Sequence, residues 1–456
     1  MRLTRRELIA GTAGAALAAG GIYELADHLT ASPEPGGAVG PREQHELQGL
    51  RVVENDGVEV VVPPLFHQVV TATVVPGTQL ADARSRFEDA LASIEDRAAV
   101  TVAWGLPYFR RHVAALAGRH VPTDLRASET GRPVKALLDA RRFPSDPPGV
   151  ILEANDVAAL FRGDVRRDVD GAAAQVFGGM RDVFAVTSIR KGFVGGGFSG
   201  GVGLPKRMAV AAGIDGADLI PDTAELFLGL TSTQKASLGP HRIANLETLG
   251  YTDAAGGYFE GGTHMHLSHI RENLAAWYLN FDHGERIGAA FRPGLGVAPG
   301  VQTVAEDRPA DVAAVEARFR SESRIGHSAS IQTVSRLGRD TVAADGTIYR
   351  RGTSVPQRAD FNTLDNPFFW SSRPEHDRME PDPAAGVHFV IFNPTSDDFH
   401  RTRLAMDGVL PDGTRLPLPP RGRGQGFNAV LATTHRQNFL VPPRAHRSFP
   451  LSELLD

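Results

Sequence analysis

Apolar and polar positions along this chain predict strands and helices in a repeated order. His67–Val75, HQVVTATVV, is β-branched and predicts a strand. Leu80, Ala83, Phe87, Leu91 and Ile94 recur at helical spacing and predict an amphipathic helix. Ala99–Gly105, AVTVAWG, predicts a second strand, followed by a Pro/Arg-rich excursion to about Pro148. Val150–Asn155, VILEAN, reads as a third strand, with Asp156 expected to cap a helix reaching about Phe177. Phe184–Phe193, FAVTSIRKGF, gives a fourth strand. The order βαββαβ is the ferredoxin-like split unit.

The second half repeats the theme with longer insertions. Gly261–Ile270, GGTHMHLSHI, alternates as a strand, and Ile270, Leu274 and Trp277 then mark a helix. Ile325–Val334 reads as a strand or extended loop. Val387–Asn393 reads as a strand, Thr395 or Ser396 caps a helix through about Met406, and Asn438–Val441 closes the set before Pro442-Pro443. The expectation is an α+β chain of two ferredoxin-like units, over residues 59–200 and 201–456, as in dimeric α+β barrels. The loops are long, which favours binding work on them.

Ahead of these units, Thr4-Arg5-Arg6-Glu7-Leu8-Ile9 sets a twin arginine before an apolar Ala/Gly-rich run ending at Ile22. Twin-arginine export signals have this layout. The run is short for a membrane span and is broken by Gly11, Gly14, Gly20 and Gly21; a single N-terminal anchor is the alternative. Residues 1–31 thus read as a signal segment and 32–58, rich in Pro and Gly, as a linker. Export through the Tat translocon implies a periplasmic, extracellular or membrane-anchored protein.

Composition narrows the chemistry. Hydrophobic residues make up 42% and charged residues 22% of 456, as in a protein that buries a core. The net charge of −5 argues against a nucleic-acid binder. Cysteine is absent, which excludes disulfides, thiolate metal sites, iron–sulfur clusters and thioether-linked haem. A metal or haem would have to be held by His, carboxylate or backbone groups.

The stretch Gly201–Gly216, GVGLPKRMAVAAGIDG, is a glycine-rich loop that presents a lone acid, Asp215, between Gly213 and Gly216. His264 and His266 share one face of their strand and His269 lies on the other. Two same-face histidines make an incomplete zinc or copper site. Trp277 and Trp370 read as core residues with an electron-relay role as the alternative.

Eight segments in series resemble the dye-decolourising peroxidase family over most of the chain after residue 60. They are Thr101–Phe109, Leu204–Gly216 with the Asp215-Gly216 end of the GxxDG signature, Glu225–Leu230, Gly261–Trp277, Ile325–Ser328, Tyr349–Gly352 (YRRG), Val387–Phe399 and Asn438–Pro443. The pattern departs from the family at Ala212, where the signature has its first glycine. It departs again at Ser268 and His269, where the family has an arginine pair near the haem propionates; Arg271 remains.

The resemblance implies non-covalent haem b, with His327 as axial ligand and iron site. It implies Asp215 as the acid–base group and Arg350 as the distal cation, with Arg351 not excluded by spacing. Such a site needs an imidazole on the iron, a proton carrier opposite it and a fixed positive charge. Asp397 and Asp398 are candidate partners for the second nitrogen of His327. The implied activity is reduction of hydrogen peroxide with oxidation of a small organic donor, and a homo-oligomer is allowed. The alternative is a haem- or metal-binding protein without catalysis on the same fold.

Overall fold

The computed structural model describes residues 38–39 and 43–455, less 46, 49, 56–57, 125–132, 197–200, 231–241, 245–256, 300–310, 343–347, 365–382 and 420. The signal segment, most of the stretch read as a linker, and Trp370 lie outside the described residues.

The first unit is built from β1 (Phe66–Val74), α1 (Leu80–Ala92), β2 (Ala99–Gly105), β3 (Val157–Gly163), α2 (Arg166–Gly178) and β4 (Phe184–Phe193). These strands pair antiparallel in the order β4-β1-β3-β2. The expected third strand differs. Ile151–Leu152 makes only a two-residue pairing, and the full strand is VAALFRG, which reads equally well as a helix start. An apolar run buried on both faces carries no periodicity. Asp156 does not cap a helix; its carboxylate accepts the Val74 backbone N–H at 2.7 Å and tethers β3 to β1.

The second unit contains β5 (Thr263–Glu272), α3 (His283–Ala290), α4 (His327–Gln332), β6 (Phe361–Thr363), β7 (Gly386–Asn393), α5 (Ser396–Met406) and β8 (Leu431–Val441). Its order is β6-β7-β5-β8, the same pattern as the first unit. Two seams join them, Asn362 opposite Phe193 and Phe439-Leu440 opposite Gly105-Trp104, so eight strands close into one barrel. Closure removes sheet edges. Two expectations are corrected here. The helix expected after Ile270 is a five-residue π turn, Ala276–Asn280, followed by α3 with its Asp282/Glu285 capping box. Ile325–Val334 holds the short helix α4, whose Ser330 hydroxyl turns back onto the Gly326 carbonyl at 2.7 Å.

Inward-facing side chains such as Val69, Leu160, Met265, Leu267, Val390, Phe392 and Phe439 fill one part of the barrel. Outside it, α1 and α2 cover the first unit with Phe87, Phe177, Phe184, Trp104 and Phe449 in edge and stacked contacts. Helices α4 and α5 lie over the second unit, and the space beneath them is the site. No described helix is long and apolar enough to cross a membrane.

Candidate active site

Strand β5 turns Met265 and Leu267 into the barrel core and presents His266, Ser268, Ile270 and Glu272 outward. In β8 the register shifts opposite His269/Ile270. That bulge carries Thr433 and Leu431 onto the same outer face as Arg436, where strict alternation would turn them inward. Helix α5 is fixed over this face by a capping box in which the Thr395 hydroxyl and Asp398 carboxylate satisfy each other's backbone N–H. The result is a partly open, mostly apolar cavity of about 120 Å³, walled by Leu226, Leu228, Ile270, Phe389, Phe399, Met406 and Phe427.

His327 opens α4 and borders this cavity. The residue is half-buried. The Phe427 ring lies 4.6 Å away, and the buried Nδ1 makes no hydrogen bond among the described residues. Burial, reinforced by the charges of Arg358 and Arg403, pushes its pKa down to about 3, so the imidazole is neutral at working pH. Arg358 and Asp360 stand beside it, two residues apart on one strand face. The Asp360 carboxylate accepts from the Arg358 guanidinium and, through its other oxygen, from the Val390 N–H at 3.0 Å. Burial outweighs that pairing and raises the Asp360 pKa. Two further cations are neutralised in place: Arg403 by Asp407 at 2.7 Å and Arg436 by Asp146 at 2.5 Å.

A second, open groove of about 700 Å³ lies next to the cavity, with Glu272 and Thr433 as shared wall. Asp215 lines it, exposed on its loop, with Arg271 and Arg421 across from it. The loop turns on Gly213 and Gly216, both at positive φ; a Cβ on Gly216 would meet the Leu274 carbonyl oxygen at 2.9 Å.

The structure therefore separates residues that the sequence grouped. His327 borders the inner cavity; Asp215 and Arg271 line the outer groove. Arg350 is at neither, because it sits 76% exposed on a surface turn in an ion pair with Asp340, whose other oxygen accepts the Arg351 N–H. From that part of the chain the cation that lines the His327 cavity is Arg358, eight residues further on. The signal for it was the Arg-x-Asp spacing in VPQRADF, which places both side chains on one face of an extended segment. Asp398 is occupied with capping α5 and does not line the cavity, and neither does Asp397. His264 is held by the Pro394 carbonyl and His266 by Ser268 and Asn438. No metal-competent group of three ligands occurs among the described residues. Trp277 is fully buried, its indole N–H given to the Leu228 carbonyl at 2.9 Å.

A model described as "Family of unknown function (DUF7405)" matches residues 64–443. No curated protein matches the chain in sequence. Among solved structures, the DyP-type peroxidase from Cellulomonas bogoriensis is 17% identical, with 86% of this chain and 95% of that chain covered and a TM-score of 0.50. The encapsulated DyP-type peroxidase from Mycobacterium smegmatis is 12% identical, with 85% and 96% covered and a TM-score of 0.48. At such identities the likeness is one of fold.

Proposed function

The chain belongs to the DUF7405 family, and we propose that it is a haem-dependent peroxidase whose centre is the His327 cavity. The observation that carries this reading is a neutral, half-buried imidazole at the wall of an apolar cavity that also holds a paired cation and acid. The donor chemistry fits haem at one point: His327 would hold the iron. In volume the fit is poor, since about 120 Å³ is room for a single aromatic ring. A macrocycle requires the facing walls to part.

Bound there, haem would supply the electrons that cleave the peroxide O–O bond. The chain's own residues supply the rest. Asp360, with its raised pKa, can hold a proton and return it within the cavity. Arg358, held by Asp360, offers a fixed charge at the cavity wall. The apolar walls exclude water, and the outer groove with Asp215 and Arg271 can receive an organic donor.

Titrating the purified chain with hemin tests this reading. A Soret band is expected in the wild type and its loss in His327→Ala. Peroxide-driven dye oxidation is expected to fall about 10²- to 10⁴-fold in Asp360→Asn. Arg350→Leu is expected to be silent, because an exposed ion pair contributes about 0–1 kcal/mol and touches neither cavity. No band in a folded wild type would end the haem reading. We also propose Tat export. Changing Arg5 and Arg6 to Lys should leave the protein in the cytoplasm on fractionation; unchanged export would rule the signal out.

A further inference from the structure

We propose that Ser268, His266 and Asn438 form an acyl-transfer site, an esterase-type nucleophile, base and positioning group, at the wall of the inner cavity. This inference does not rest on the haem reading and concerns the cavity at the size seen here. On β5 and β8, His266 stands directly opposite Asn438 and Ser268 directly opposite Arg436. Ser268 Oγ lies 2.6 Å from His266 Nε2, and His266 Nδ1 lies 2.6 Å from Asn438 Oδ1.

Chemistry fixes the direction of this chain. Asn438 Nδ2 donates to the Leu138 carbonyl oxygen at 3.0 Å, and a carbonyl oxygen only accepts. Asn438 Oδ1 therefore faces His266, whose Nδ1 must carry the proton. Nε2 is left with its lone pair toward the Ser268 hydroxyl, the tautomer a general base requires. Phe399 stacks on the imidazole at 3.4 Å and 15° and holds its plane. Ser268, 1% exposed, opens only onto the cavity. Arg436 gives one Nη to the Arg141 carbonyl and the other to Asp146, while its buried Nε–H makes no hydrogen bond among the described residues. A spare donor on the residue opposite the nucleophile is what a developing oxyanion needs.

The step balances without a redox partner. Ser268 Oγ bonds to the carbonyl carbon of an ester and gives its proton to His266 Nε2. The carbonyl oxygen becomes an oxyanion beside the Arg436 Nε–H. Collapse expels the alcohol as it takes the proton back from His266, leaving acyl-Ser268, and water repeats the sequence to release the acid. About 120 Å³ admits a short acyl chain or one aromatic ring. Burial, with Arg436 and Arg403, opposes charge on His266 and slows both half-reactions, so an ester with a good phenolate leaving group is needed for acylation to outrun deacylation and leave the acyl-enzyme as the species to detect.

The test uses the full chain prepared without haem and p-nitrophenyl acetate as probe. A stoichiometric burst of p-nitrophenolate is expected, with one acetyl group mapped to Ser268 by mass spectrometry. Ser268→Ala, which removes a single oxygen, should abolish both. His266→Gln should slow acetylation about 10²- to 10⁴-fold. In Asn438→Ala, ¹⁵N NMR should show His266 losing its single tautomer. A folded wild type with no acetyl on Ser268, or an unchanged burst in Ser268→Ala, overturns the proposal. No haem is present, so neither result bears on the Soret experiment.

Discussion

Acidification is expected to unfold this protein near pH 5, driven by its buried histidines. Five histidines, His67, His264, His266, His388 and His400, are at most 3% exposed, and His327 is half-buried at the cavity wall. Burial lowers the pKa of all six: to about 4 for His264, about 3 for His327 and His400, and well below the ordinary value for the others. Neighbouring cations add to it, Arg162 at His67, Arg190 at His388, Arg436 at His266 and His400. The sign follows from proton counting. Below pH 6.5 the unfolded chain binds protons that the folded chain refuses, so stability falls as pH falls toward the folded values. Each such histidine contributes about 1.4 kcal/mol per pH unit, and six together on the order of 8. A typical reserve of about 5–15 kcal/mol is spent within roughly two units. Near-UV circular dichroism from pH 7.5 to 4 checks this, with calorimetry counting the protons taken up. A native spectrum persisting at pH 4 overturns the expectation: with proton uptake the imidazoles protonate in place, and without it the stability reserve exceeds their combined penalty.

The same histidines show what the sequence could and could not disclose. Strands with two-fold alternation or β-branched runs were legible to within about two residues, as at β1, β2, β4, β5 and β7. The α5 cap was legible because Thr395 and Asp398 sit three apart ahead of a helical stretch. VAALFRG was not legible as a strand, because a segment buried on both faces has no period. The start of β8 was missed because the bulge near Thr434 breaks the alternation of LATTHRQN.

For the site, family likeness singled out His327, and that residue lines a cavity wall. Its companions were not legible. The Arg350-Arg351 pair was singled out by family likeness, yet Asp340 holds both at the surface. Arg358 and Asp360 reach the cavity because the backbone there pairs with β7 at Ile391 and Phe392, a contact between distant segments that no local pattern encodes. Ser268 looked like the loss of a cationic position. In the fold it is the hydroxyl end of a Ser–His–Asn chain, which depends on cross-strand register and is invisible along one strand.

Gly326→Ala should be the most damaging single substitution near the site. Gly326 has an ordinary φ of −99°, so the cost is not backbone strain in the left-handed region. The cost is space: a Cβ there would lie 2.1 Å from the Phe291 carbonyl oxygen, 2.4 Å from its carbon and 2.6 Å from the Arg292 Cα. All three are backbone atoms and cannot swing aside. The Phe291 carbonyl also accepts the Ala329 N–H at 3.0 Å, and Ile325 N–H is held by the Gly424 carbonyl at 2.8 Å, so α4 is pinned on both sides of Gly326. The methyl must therefore push α4, and His327 with it, away from α3. Overpacking of this kind costs about 1–3 kcal/mol or more, or roughly 2–4 °C in Tm for each kcal/mol in larger domains. Ser330→Ala offers the contrast, since it deletes only the hydroxyl's bond to the Gly326 carbonyl, worth about 1 kcal/mol. Gly326→Ala is expected to lower Tm by several degrees and to weaken hemin uptake, while Ser330→Ala shifts Tm slightly and leaves uptake intact. Equal Tm values and equal hemin titrations for the two variants would show that the contact with Phe291 does not seat His327.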